Sequence, residues 1–400
     1  MLAIDGGKPV RENFLIFGQP VLGDEEIAEV VETLKSRWIG TGPRTHQFER
    51  EFAAYIGASD AYAVNSCTAG LHLALLASGV TAGDEVLVTA MTFAATANVI
   101  VHSGARPVFV DIDPDTLNID IHDLERKITD RSRAVMVVHY GGLPANVNAV
   151  NELASRYGLK VIEDAAHAVG ASINGRRIGA GENLTVFSFY ANKNMTTAEG
   201  GMITGNHLTE ETREFLATMR LHGLGRDAWK RFQSKALVHA QVVNAGFKYN
   251  MTDIQAALGI HQLRKVEDFL SRRESIAERF RRELSEIPGI RFQSIPNTYG
   301  RLRHGLHLFV LVLDPKAFSV DRDQIVQALR AENIGAAIHY TSLPLEPYYA
   351  KLVPEAAATT PVANHISENV LSLPLCPDFT QEDQSDIIAA VYKVCRHYRR

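Results

Sequence analysis

Cysteine is scarce: the 400 residues contain only Cys67, Cys376 and Cys395, an odd number at unrelated spacings. That pattern excludes a disulfide framework and a cysteine-based zinc site, so no metal is expected. No stretch approaches the roughly 18 unbroken apolar residues that a membrane-spanning helix needs. There is no basic surplus either; the formal net charge is -5, which speaks against a nucleic-acid partner. The opening residues Met1–Gly7 lack the basic region and apolar stretch of a signal peptide, so a cytoplasmic protein without a membrane partner is expected. Neither a Gly-x-Gly-x-x-Gly dinucleotide loop nor a Walker-type phosphate loop occurs.

What is present reads as an α/β enzyme. Hydrophobic residues make up 46% of the chain and charged residues 22%, the balance of an ordinary globular protein. Ala61–Val64, Glu85–Val88, Pro107–Val110, Ala134–Val138 and Leu159–Ile162 read as buried strands. Helical patterns lie between them, as at Thr68–Leu76 and Val147–Tyr157. Leu184–Phe189 and Gly201–Thr204 add two strands, which predicts a mostly parallel, seven-stranded sheet with helices on both faces. Met251 to about Ile287 reads as one long helix ended by Pro288-Gly289. Beyond it a strand (Leu306–Leu313), a helix (Val320–Ala331), a short strand (Ala336–Tyr340) and a last helix (Glu382–Tyr398) predict a smaller α/β unit. The expected division is a large domain over 1–265 and a small one over 266–400.

Two residues carry the chemistry. Lys193 sits among apolar and small residues in Phe187-Ser188-Phe189-Tyr190-Ala191-Asn192-Lys193-Asn194. About thirty positions upstream, the apolar run Val161-Ile162-Glu163 delivers Asp164 to the carboxyl end of a strand, where ligands bind in open α/β sheets. A lysine able to form a Schiff base and an acid able to hold a pyridine nitrogen protonated are what pyridoxal 5'-phosphate (PLP) requires. Alone, Asp164 would more often be a helix cap. His167, three residues on, could lie over the ring, bond its phenolic oxygen, or be a satisfied histidine behind the site. Ser188 faces away from Phe187 and Phe189 and could bind phosphate or a backbone group. Asn65-Ser66-Cys67-Thr68-Ala69-Gly70 follows a strand and opens a helix, a place where free N–H groups attract phosphate. Phe93 follows the next strand at the same edge and could stack on the ring or belong to the core. His139-Tyr140 and the Arg220, His222, Gly223 cluster are weaker ligand candidates. Arg272-Arg273 and Arg281-Arg282 read as a solvated helix face.

Along nearly its whole length the chain resembles the DegT/DnrJ/EryC1/StrS family of PLP-dependent nucleotide-sugar aminotransferases. The matching stretches include Trp38-Ile39-Gly40-Thr41-Gly42-Pro43, Ser66–Leu71, Thr92–Asn98, Gly104–Asp111, Glu163–His167, the Lys193 region and Gly246–Asp253. The resemblance implies fold type I and a covalent link between Lys193 and the cofactor. It also implies Asp164 on the ring nitrogen, His167 near the ring oxygen and Phe93 on the ring. Cys67, Thr68, Ala69 and Ser188 would hold the phosphate, with Lys248 or Asn250 reaching in from a neighbouring subunit of a homodimer. Thr41, His339 and Tyr340 would meet substrate, and His307 would help to shape that pocket.

Three departures stand out: Cys67 where relatives often have Gly, Ala198 before Glu199-Gly200-Gly201, and Lys248-Tyr249-Asn250 where many read Asn-Tyr-Arg. They resemble the branch of the UDP-4-keto-pentose (4-amino-4-deoxy-L-arabinose) aminotransferase, which implies a UDP-4-keto sugar as acceptor and L-glutamate as donor. The product would be an amino sugar for surface polysaccharide, lipopolysaccharide or antibiotic biosynthesis. An inositol or aminocyclitol aminotransferase is the alternative, because Ile4–Arg11 resembles the start of such enzymes. Dehydratases of the family carry His at the lysine position, and a non-catalytic regulator would be favoured by loss of Lys193 or Asp164; both residues are present.

Overall fold

The computed structural model describes residues 1–225 and 241–400. Its central sheet contains β1 (Asp60–Val64), β2 (Glu85–Thr89), β3 (Arg106–Val110), β4 (Ser132–Val138) and β5 (Lys160–Asp164). A short ribbon of β6 (Ser172–Ile173) and β7 (Arg176–Arg177) follows, and then β8 (Leu184–Ser188) and β9 (Gly201–Gly205) complete the sheet. The seven strands stand in the order β1-β9-β8-β5-β4-β2-β3. From β3 to β8 every neighbouring pair is parallel. β9 runs antiparallel to both β8 and β1, so β1 points the same way as β8. The expected mostly parallel sheet is therefore what the chain forms.

Its helices are α1 (Asp24–Ser36), α2 (Pro43–Ile56), α3 (Cys67–Ala77), α4 (Ala94–His102), α5 (Ile121–Arg126), α6 (Val147–Tyr157), α7 (Glu210–Met219) and α8 (Asp253–Leu284). α3 is apolar nearly all round, which suits a helix laid directly on a sheet, and it packs with Val186 and Ile203. Alternate residues of the same strands, Phe187 and Met202, face a second core under α2 and α8. There Phe52 lies 5.1 Å from the ring of Phe187 and 5.3 Å from that of Phe189. Asp253, the first residue of α8, also caps α2: its carboxylate accepts from Gly42 N, Arg44 N and Thr45 N.

A separate C-terminal core contains β10 (Ile290–Phe292), β12 (Phe309–Leu313), α9 (Arg322–Ala331), β13 (Val370–Leu373) and α13 (Gln381–Tyr398), while β11 (Leu302–Arg303) pairs back to β6. Short helices α10 (Pro347–Leu352), α11 (Ala356–Thr359) and α12 (Pro361–Asn369) precede β13. α8 runs unbroken through residue 265. Leu2, from the other end of the chain, joins the C-terminal core.

Three readings of this part need correction. Ala336–Tyr340 is not a strand: only Ala337 pairs, as an isolated bridge to Ser372, because the backbone just before it bonds Leu15 of the N-terminal strap. The strand expected from Leu306 starts at Phe309, since Leu306 takes a left-handed conformation (φ 48°) that no strand accommodates. Arg273 is not solvated but 4% exposed, donating to the carbonyls of Leu306 and Leu375.

Candidate active site

β1, β2, β5 and β8 all end on one edge of the sheet, and each delivers site residues there. β5 ends in Asp164, β8 in Ser188, and the turn after β1 opens α3 at Cys67 and Thr68. The turn after β2 carries Thr92 and Phe93 into α4, where Thr96 lies one turn in. Beneath this edge lies a cavity of about 360 Å³. Its walls include Cys67, Thr68, Phe93, Thr96, Asp164, His167, Ser188, Lys193, His307, His339 and Tyr340. A wider groove of about 890 Å³ lies elsewhere, lined by residues such as Asn151, Arg176, Asn183 and His207, and takes in none of the expected site residues.

Asp164 is buried. Its Oδ2 accepts from Thr96 Oγ1 at 2.8 Å and its Oδ1 from Ala166 N at 3.0 Å. Burial pushes its carboxyl above the usual range, while those two donors and the charge of Lys193 pull it back. Lys193 has the opposite problem: desolvation of its ammonium lowers it to about 8, so the free amine is within reach near neutral pH. Its Nζ lies 3.3 Å from His307 Nε2. His167 Nε2 lies 3.0 Å from the Tyr340 hydroxyl, and its ring is 4.4 Å from that of His307. Burial drives both imidazoles well below their ordinary pKa, so both are neutral.

Cys67 and Thr68 are the first two residues of α3, so their N–H groups have no acceptor within the helix. Ala69 differs: its N–H already donates to the Ser66 hydroxyl at 3.1 Å. Gly201 on the adjoining strand keeps this turn close, because a Cβ there would stand 2.7 Å from Cys67 N and 2.8 Å from Phe187 O. Phe93 is 61% exposed, an apolar ring without a full cover. Cys67 itself is no nucleophile here, since burial pushes its thiol well up. The residues present fit PLP: an aldehyde-reactive amine, a buried acid, an uncovered aromatic ring and unpartnered helix N–H groups share one cavity. His167 Nδ1 and Asn192 Oδ1 are buried polar atoms that no protein group satisfies.

The structure separates three expected residues from this cavity. Thr41, Lys248 and Asn250 bond one another instead: Lys248 Nζ reaches Asn250 Oδ1 at 2.7 Å, and Asn250 Nδ2 reaches Thr41 Oγ1 at 2.6 Å. Two weaker candidates prove to be scaffold. His139 is fully buried between Glu163 Oε2 and Ala145 N, and Arg220 pairs with Glu49 and the carbonyl of Ala63. Thr96 escaped the sequence reading; one helical turn beyond Thr92 it faces the same edge, which was the available signal. Ala198 sits at φ 67°, the left-handed region that favours glycine.

Comparison with known proteins agrees. The family model described as DegT/DnrJ/EryC1/StrS aminotransferase family matches residues 20–392. The spore coat polysaccharide biosynthesis protein SpsC of Bacillus subtilis is 44% identical over 387 residues, 96% of this chain and 98% of SpsC. Among solved structures, the putative sugar aminotransferase Spr1654 from Streptococcus pneumoniae in its PMP form superposes with a TM-score of 0.88 at 31% identity, over 96% of this chain and 98% of that one. Helicobacter pylori PseC, an aminotransferase involved in the biosynthesis of pseudoaminic acid, gives 0.87 at 29% identity over 97% of this chain and 100% of its own.

Proposed function

The chain belongs to the DegT/DnrJ/EryC1/StrS aminotransferase family and is a PLP-dependent sugar aminotransferase; on that premise we propose that it moves the amino group of L-glutamate onto the ketone of a UDP-4-keto sugar. The product is an amino sugar for a surface polysaccharide, a role that SpsC's own name supports for a relative. One observation carries the assignment of roles: Lys193, Asp164 and the start of α3 meet in one cavity.

When bound, PLP supplies an aldehyde for Lys193 and an electron sink for the donor's α-carbon. The chain's own residues then have separate tasks. Asp164, fixed by Thr96 and Ala166 N, is the acid that would keep the ring nitrogen protonated. Lys193 Nζ carries the proton away from the α-carbon, which its depressed pKa suits near neutral pH. Phe93 and His167 both line the cavity, where Phe93 would cover the ring and His167 would serve its oxygen. The N–H groups of Cys67 and Thr68, with the Ser188 hydroxyl, would hold the phosphate at the positive end of α3; Ala69 would contribute close approach rather than a free N–H. His339 and Tyr340 meet the acceptor sugar.

Thr41, Lys248 and Asn250 serve the cavity of a second subunit in a homodimer, since they lie together outside their own. Lys248 is the exposed cation of that trio and would make the charge-assisted phosphate bond. Incubation of the purified protein with glutamate and a panel of UDP-keto sugars, dTDP-keto sugars and an inositol-type ketone, read by mass, tests the acceptor. A ketone replaced by an amine on a UDP-4-keto sugar supports the reading. Amination of an inositol-type ketone alone overturns it.

A further inference from the structure

We propose that His307 is a positioning residue for Lys193, donating from its Nε2–H to the free amine and holding that amine unprotonated toward the cavity. The inference rests on Lys193 being the cofactor lysine. Nε2 lies 3.3 Å from Nζ, and the imidazole is buried. Which way the hydrogen bond runs is decided at the other nitrogen. His307 Nδ1 is buried and has no partner in the protein. A stranded N–H is rarer in buried sites than a bare acceptor, so Nδ1 is the bare nitrogen and the proton sits on Nε2. With Nε2 as donor, Nζ can only accept, which requires the amine rather than the ammonium.

The groups around the pair reinforce this state. Behind His307 lies Arg273, locked by the carbonyls of Leu306 and Leu375, and its fixed positive charge opposes an imidazolium. His167 and His339 face His307 as well, both held neutral by burial. Asp164 and Cys67 share the cavity with Lys193, and their negative forms would favour the ammonium. Burial works against them on every group. The neutral donor that Lys193 Nζ meets at hydrogen-bond distance is therefore His307. His307 tips the balance toward the form that can attack an aldehyde and accept a proton.

The test uses protein stripped of cofactor, so that it does not depend on turnover. Lys193 is labelled with limiting acetic anhydride between pH 6.5 and 10.5 and read by peptide mass spectrometry against the exposed Lys35. The wild-type labelling midpoint is expected at about 8. His307→Phe should raise that midpoint by about one pH unit, a roughly tenfold loss of labelling at pH 7.5, and His307→Gln should restore it. A second reading is the rate at which PLP forms its visible band. His307→Phe should slow it about tenfold at pH 7 and leave it unchanged at pH 10, where the lysine is free amine in both proteins. An unchanged or lowered midpoint, or equal slowing at both pH values, overturns the proposal. So does a wild-type midpoint near the ordinary lysine value, which needs no variant and covers the case in which His307→Phe does not fold. Failure of the wild-type protein to form any visible band would count against the cofactor lysine instead, so the two claims fail separately.

Discussion

Thr96 Oγ1 donates to Asp164 Oδ2 at 2.8 Å, and Thr96 in turn lies 2.9 Å from the hydroxyl of Thr92. A helix residue from α4 thereby fixes the rotation of an acid at the end of β5. Deleting that hydroxyl should cost about 1.5–3 kcal/mol, the usual worth of a hydrogen bond to a charged group. Thr96→Val is accordingly expected to raise the Kd for PLP by about tenfold or more, measured by equilibrium titration of the visible band. Asp164→Asn, which cannot hold the ring proton, should lower kcat on the order of a thousandfold.

Phe93 offers a test that separates binding from folding. Because its ring is 61% exposed, Phe93→Ala should leave the melting temperature of cofactor-free protein nearly unchanged. The same change should weaken PLP binding by about 1 kcal/mol, the value of an aromatic stack, or roughly fivefold in Kd.

The proposed role of Lys248 in a neighbouring subunit's cavity predicts complementation. Lys193→Ala and Lys248→Ala proteins should each be inactive or strongly impaired alone. Mixed and allowed to exchange subunits, they should regain activity, because one site of each mixed dimer holds an intact Lys193 and receives an intact Lys248. Absence of recovery, with subunit exchange confirmed by mass, would place Lys248 outside its partner's site.

Acid should destabilise the fold through its buried histidines. His304 accepts from Leu306 N at Nδ1 and donates from Nε2 toward Gln293 Oε1, an arrangement that admits only the neutral ring. Burial lowers its pKa to about 3. Below about pH 6.5 the unfolded chain takes up a proton that the native ring refuses, so stability falls as pH drops from there toward 3. Between pH 6.5 and 5 this amounts to about 1.6 kcal/mol for one such ring. His304→Asn should lower the melting temperature at pH 7 and flatten its decline between pH 6.5 and 4.5.

Much of this was legible in the sequence because it depends on local pattern. The strands that set the sheet are unbroken apolar runs, and Asp164 and Lys193 sit where those runs stop. Residues whose role depends on distant partners were harder to read. Arg273 resembles any helix-surface arginine until α8 is seen to press it against the loops at Leu306 and Leu375. His139 ends a strand at the ligand edge, yet Glu163 on the neighbouring strand claims its ring. Ala336–Tyr340 has strand composition, but the N-terminal strap takes the preceding backbone bonds. Thr96 and His307 gain meaning only once Asp164 and Lys193 stand beside them.

The most direct measurement is borohydride reduction of the PLP-loaded protein, followed by peptide mapping. The account predicts a single pyridoxyl group, carried on the Nζ of Lys193, and none in Lys193→Ala. A pyridoxyl group on any other lysine, or a wild-type protein that acquires none, would contradict it.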